Sequence, residues 1–452
     1  MISSISSGKI VDVKVDYRVS GHDGVKAHLA EQIVRRYLDS PDFNGVDASL
    51  LTGAMKHLPV DAEGLVVELV AEGAVYANFG HEMTNPHIMG FSHQDAAANH
   101  AEVSRRGGVN GAILYPTRKT LAAMGAGTRY AGAPYSAVLA LGHGQLDSVF
   151  FRADVLAKYR DDPRYDYTLD IGGEIRAREG TPLDGYLKTF SIGFHADPNE
   201  DEIVVGVPLR YLHDLSSAEQ AYWKSFEHDR QDWMLHPDWV RPHLMGEFPE
   251  RLSPYAALLE EMELVNQLCD AIGWPHLYRT IYTKANRPTD FGYLIRPTKR
   301  ELNNFTEQLN KMLIDNMWKE FFAPAQVEAT EERRDEEGNV YRAPRGTMAM
   351  LRDFMEKTVR EDPHGAVPHA DATLRLIRKK RSSVAHDIKD NEYDPSVWRE
   401  QTELVKDAYR TVLTIRQLLQ SHPKAAFFEV PPLLEDQAVW PLSICASGGQ
   451  CY

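Results

Sequence analysis

Arg381 and His386 stand with four residues between them, Ser382-Ser-Val-Ala385. An imidazole exchanges protons near neutral pH, so a histidine beside a reacting hydroxyl can take or return its proton. A guanidinium presents a planar fork of donors that matches an anionic group and stabilises charge building on it. Such a pair can act at an anionic centre without a metal. Spacing alone selects nothing, because Arg230…His236 and Arg416…His422 also occur, each with five residues between.

Context favours the first pair. Arg381 lies four residues after Ile377 and three before Val384, on the apolar stripe of a helix. A guanidinium there needs a carboxylate or a polar cleft. Arg381 also closes the run Arg378-Lys-Lys-Arg381, the most concentrated positive charge in the chain, with Arg375 one turn earlier. Lys379 and Lys380 are placed to steer an anionic backbone, and the small Ser382 and Ala385 leave room for a ligand. Arg416, in contrast, is followed by bulky Gln417, Leu418 and Leu419 and has no basic neighbours. The bland reading is a solvated helix face at 378–381 and a histidine favoured by the negative end of the helix dipole.

Other reactive residues carry less. His81, His87, His93 and His100 recur with Glu82 and Asp95, but spacings of six, six and seven fit no familiar ligand motif. Cys269 falls in an apolar helical stretch, while Cys445 and Cys451 sit in a tail of small residues and make an incomplete zinc site. Neither a metal nor a cofactor is expected.

Elements must position the pair. Short apolar or alternating runs at Ile10–Tyr17, Leu65–Val70, Ser136–Leu141, Tyr165–Ile171, Tyr186–Phe194 and Glu202–Val207 predict strands. Helices are predicted around Val25–Leu38 and over Phe150–Tyr159, the latter ended by Asp162-Pro163. Ser216-Ser-Ala-Glu219 has capping-box spacing. Beyond residue 250 helical periodicity dominates, beginning at Ser253-Pro254 and stopping at Gly273. Further stripes run through Leu302–Leu313, Met348–Val359, Leu374–Ile388 and Trp398–Leu419, with Ala323–Arg345 read as a loop.

The stretch Leu374-Arg-Leu-Ile-Arg-Lys-Lys-Arg-Ser-Ser-Val-Ala-His-Asp-Ile388, followed by a loop and a long amphipathic helix, resembles the motif region of the HEPN superfamily. The likeness covers roughly 296–421. Ser382 stands where that family most often has Asn. A β-rich front half before such a bundle is similar to the Apea-like abortive-infection proteins. The resemblance implies a metal-independent endoribonuclease, a growth-arresting defence or toxin effector. In it His386 would be the general acid/base, Arg381 would hold the scissile phosphate, and Ser382, Lys379 and Lys380 would contact RNA. It also implies a homodimer with a composite site.

The remaining bounds are broad. At 452 residues the chain calls for two or three domains, and the net charge of −15 argues against nonspecific nucleic-acid binding by the whole surface. No apolar run reaches membrane-spanning length, and Met1-Ile-Ser-Ser-Ile-Ser-Ser lacks a secretory n-region, so a cytoplasmic protein is expected. The fold class is α+β: a β-rich domain over 1–207, a helical connection over 208–295, an all-α HEPN-like bundle over 296–421 and a tail over 422–452. The competing reading is a non-catalytic dimeric binding protein whose N-terminal domain recognises a ligand or partner.

Overall fold

The computed structural model describes residues 21–40, 42–55, 60–80, 95–197, 199–230, 232–248, 250–283, 286–383 and 392–439. The alternating segment 10–17 therefore lies outside the described residues. Among the described residues the chain is mixed α/β, 51% helical and 15% strand, with its two larger sheets mainly in the N-terminal half and helices dominating the C-terminal part.

In chain order the first elements are α1 (His22–Asp39), β1 (Val46–Asp47), α2 (Ala48–Ala54), α3 (Ala62–Ala71), β2 (Val75–Asn78), α4 (Ala96–Arg106), β3 (Ile113–Pro116), α5 (Arg118–Ala123) and α6 (Pro134–Ala140). Next come β4 (Ser148–Arg152), α7 (Ala157–Asp161), β5 (Tyr165–Leu169), β6 (Gly172–Ala177), β7 (Phe190–His195), β8 (Ile203–Pro208), α8 (Leu209–His213), α9 (Ser217–Lys224), β9 (Trp233–Leu235) and α10 (Pro237–Val240). The last part contains α11 (Pro254–Ile272), α12 (Lys299–Leu313), β10 (Thr330–Arg334), β11 (Val340–Pro344), α13 (Thr347–Thr358), α14 (Ala366–Ser383), α15 (Ser396–Gln420) and α16 (Pro432–Glu435).

Two compact units result, both discontinuous: Met1–Val149 with Val207–Ser225, and Phe150–Gly206 with Phe226–Tyr452. The strands between 150 and 206 thus group with the helical part, whereas the linear division at 207 had placed them with the N-terminal domain.

The first unit is an antiparallel sheet of order β1-β3-β2 with helices packed on it. Leu29, Ile33, Leu65, Val66, Val70 and Leu114 are buried in its core. Two segments read as strands are helices here. Leu65–Val70 falls in α3 because Asp61 caps the turn, accepting from Gly64 N at 3.0 Å, and Leu65, Val66, Leu69 and Val70 then share one buried face. Ser136–Leu141 falls in α6, whose first residue is Pro134. A short apolar run carries no periodicity that separates strand from helix, so the burial of one face decides, with Asp61 and Pro134 at the helix starts. The excursion Val207–Ser225 is tied to α6 by buried Gln220: its Oε1 accepts from Tyr135 N and Ser136 N at 3.1 Å, and its Nε2 donates to Ser136 Oγ at 2.9 Å. The Ser216 cap behaves as its spacing predicts, accepting from Glu219 N.

The second unit holds a sheet of order β4-β8-β7-β6-β5, antiparallel from β8 through β5, with β9 also antiparallel on β7. Here Phe150–Arg152 is strand, and helix begins only after it. On β6, Gly172 and Gly173 permit close packing: a Cβ on Gly173 would fall 1.9 Å from the Phe190 ring, and one on Gly172 would fall 2.5 Å from Trp239. Beside the sheet, α11 packs on α15, which in turn packs on α14, and α14 on α12. Ser253 caps α11 through Ala256 N at 3.0 Å, and Gly273 closes it in the left-handed region. Burying Leu258, Val265, Leu268, Val405, Val412 and Ile415 along this seam stabilises by roughly 1.5–3 kcal/mol per side chain. Gln401 and Trp398 of α15 fix the preceding chain, donating to Gly292 O and Leu294 O at 2.7 Å. The stretch expected as a loop at Ala323–Arg345 contains the β10–β11 hairpin, whose charged strands carry no apolar alternation because most of their side chains face solvent.

Candidate functional site

The basic cluster sits on the last turns of α14. Asp362 starts this helix, accepting from Ala366 N at 2.7 Å and Val367 N at 3.0 Å. Leu374 and Ile377 are buried, fixing which face turns inward. Arg381 lies at the edge of that face rather than within the bundle: its side chain is 39% exposed, and Nη1 donates to Asp315 Oδ2 at 3.1 Å. Asp315 also receives Asn310 Nδ2 at 2.8 Å. Lys380 meets Glu400 of α15, which Lys299 also reaches at 2.7 Å. Burial works to raise the Glu400 carboxyl, but the two ammonium groups hold it below its ordinary value. Lys379 is exposed. The structure thus brings Arg381, Lys380 and Lys379 onto one helix end, while His386 and the side chain of Ser382 lie outside the described residues.

The two rival pairs are structural. Arg416 is almost fully buried; its Nε and Nη2 donate to Glu261 at 2.8 and 3.2 Å, and Nη1 donates to Gln420 Oε1 at 2.7 Å. Burial pushes the Glu261 carboxyl up, against the pull of Arg416. His422 caps a short turn, with Nδ1 accepting from Lys424 N, and meets the Trp274 ring. Arg230 pairs with Glu200 at 2.9 Å. His236 is buried, accepts Asp238 N on Nδ1 at 3.2 Å, and is pushed down to about 3 by burial.

His81, His87 and His93 lie outside the described residues, as do Cys445 and Cys451, and His100 sits on α4. Among the described residues no group of three His, Cys, Asp or Glu is arranged to hold a metal. Burial pushes the Cys269 thiol up to about 12, so it is a core residue rather than a nucleophile.

The sequence pattern gave no sign of a cleft of about 680 Å³ in the second unit. The β5–β6 turn, α10 and the chain after it, and one face of α11 form its walls, and Arg287 and Leu434 complete it. Ser253 does double duty there: its hydroxyl caps α11 and donates to Asp170 Oδ2 at 2.7 Å. Arg287 donates through Nη1 to Asp170 at 3.3 Å and through Nη2 to Phe291 O at 2.6 Å. The Trp239 indole stacks on His243 at 4.7 Å and donates to Thr189 Oγ1 at 3.3 Å. The N-cap signal of Ser253 was legible, but its partner Asp170 lies 83 residues away, and no local pattern encodes that meeting.

No family model, curated protein or solved structure matches the chain. Chemical assignment therefore rests on the two sites themselves. The α14 end presents a guanidinium and an ammonium toward solvent with carboxylate partners that an anion could replace, and the cleft presents carboxyl groups and an aromatic wall to a small molecule.

Proposed function

We propose that the chain is a metal-independent endoribonuclease of the HEPN type that acts through Arg381 and His386 as a growth-arresting effector. The placement of Arg381 on the exposed last turn of α14 carries this reading. An exposed pair such as Arg381–Asp315 is worth only about 0–1 kcal/mol, so an RNA phosphate can displace the carboxylate at little cost. His386 takes the proton of the 2′-hydroxyl; the freed oxygen attacks the adjacent phosphorus, and the 5′ oxygen leaves as a hydroxyl after accepting a proton. Arg381 stabilises the charge on the phosphoryl oxygens. Lys379 and Lys380 guide the backbone, Ser382 lies beside the phosphate, and a second copy completes a composite site across a two-fold axis. The N-terminal part answers a trigger. The order of elements, α14 carrying the basic run and then long α15, supports the same reading.

The test is incubation of the purified protein with labelled RNA in EDTA. The wild type yields products with a 2′,3′-cyclic phosphate, and His386→Ala and Arg381→Ala lose at least about 100-fold in rate while keeping their circular dichroism and melting temperature. Undiminished cleavage by His386→Ala, or no cleavage by wild-type protein across a panel of structured and unstructured RNAs, sinks the reading.

A further inference from the structure

The cleft of the second unit has two buried groups whose hydrogen-bonding capacity is unused. Asp238 is 9% exposed, and its Oδ2 has no partner among the described residues. Arg287 has an 8% exposed side chain and spends both terminal nitrogens on Asp170 and Phe291, leaving Nε–H unpartnered. A buried polar group without a partner costs about 1–3 kcal/mol, and two on residues that line one cavity mark a place where a ligand, met by a small turn of those side chains, supplies the missing bonds. The two orphans are complementary: a carboxyl oxygen seeks a donor, and an N–H seeks an acceptor.

The charge of the walls defines that ligand further. Asp170, Glu174, Asp238, Glu260 and Glu263 face the cavity against Arg251 and Arg287. Asp170 and Arg287 offset one another and Glu174 pairs with Arg176, so among the described residues Asp238, Glu260 and Glu263 leave an acidic excess over Arg251. Burial raises the Asp238 carboxyl, with Arg251 and Arg241 opposing it, and burial followed by Glu263 raises that of Glu260. An anion would enter against this field, whereas a cation relieves it. The remaining wall is apolar and aromatic, with Ile171, Trp239, Leu259, Leu264 and Tyr282, and the volume of about 680 Å³ is that of a small-molecule site.

We infer that this cleft binds a small organic cation, an amine on an apolar body that also carries a carbonyl oxygen, with the ammonium on Asp238 and the oxygen on Arg287 Nε. The site is separate in residues and in chemistry from the basic end of α14, so it stands whether or not the chain cleaves RNA.

Three aryl probes test it by isothermal titration with the full chain at pH about 6, where an α-amine is protonated: L-phenylalaninamide, its N-acetyl derivative, and 3-phenylpropanoate. The first is a cation with an aryl body and a carbonyl, the second lacks the charge, and the third is an anion. L-phenylalaninamide binds the wild type and is at least tenfold weaker on Asp238→Asn, which keeps the shape of the side chain. Glu260→Gln, at an exposed residue of α11, weakens it by a smaller factor and guards against a folding defect at Asp238. The two uncharged or anionic probes bind at least tenfold more weakly than the amine. The inference is overturned if L-phenylalaninamide does not bind at millimolar concentration, if the anion binds as well as the amine, or if neither variant changes the affinity.

Discussion

At the scale of single residues, identical side chains do opposite work according to burial. Arg381 and Arg416 both border apolar stripes of long helices. Arg381 keeps contact with water and one surface carboxylate, so its loss should cost little stability and its value lies in what it can bind. Arg416 is 2% exposed, and Glu261 beside it is wholly buried. Removing one partner of such a pair strands the other charge in the core. Arg416→Ala should therefore lower unfolding free energy by about 3–5 kcal/mol, read from the urea midpoint. Replacing both partners by leucine and methionine should recover most of that loss, because no charge is then left inside. A double variant as unstable as the single one would show that the pair itself, rather than the stranded carboxylate, sets the cost.

At the scale of elements, the β10–β11 hairpin is a separable decoration. Its strands pair Thr330 with Pro344 through Arg334 with Val340, and Arg345 N closes the base on Ala329 O at 2.9 Å. Val340 and Tyr341 are exposed, so the tip contributes little to the core. Glu331 and Ala343 are direct partners. Joining them by Asn-Gly in place of Glu332–Arg342 should therefore form a tight turn and change stability by less than about 1 kcal/mol. A drop of several degrees in melting temperature would mean that the hairpin packs on something essential. The basic character of α14 belongs to this scale as well. Lys380 and Arg381 occupy its last turn, where the helix dipole favours cations.

At the scale of the whole molecule, acid should destabilise the fold through His236. Its folded value is pushed down to about 3 while its ordinary value is 6.5. The unfolded chain therefore binds a proton between those values and the folded chain does not, so this contribution is complete above pH about 6.5 and drains away as pH falls toward about 3. The loss is up to about 1.4 kcal/mol per pH unit in that window. Carboxyls raised by burial, such as Asp238 and Glu260, act in the other direction, so the effect is read as a difference. The stability gap between wild type and His236→Gln should shrink as pH falls from about 7 to about 4. A gap that stays constant would remove His236 as the cause.

The sequence by itself determined the helices with strong periodicity and matched caps. Ser253-Pro254 to Gly273 marks α11 at both ends because capping is a local interaction written in adjacent residues. It also placed the basic run 378–381 on a helix. Tertiary structure decided the rest. Leu65–Val70 and Ser136–Leu141 are apolar runs too short for periodicity to separate strand from helix, and their surroundings made them helical. Burial made Arg416 a core ion pair and left Arg381 at the surface, which two similar stripes could not distinguish. The cleft was the least legible feature. Asp170, Asp238, Ser253 and Arg287 meet only because a sheet turn, a short helix and a long helix converge, and contacts across such separations leave no mark on any local stretch of sequence.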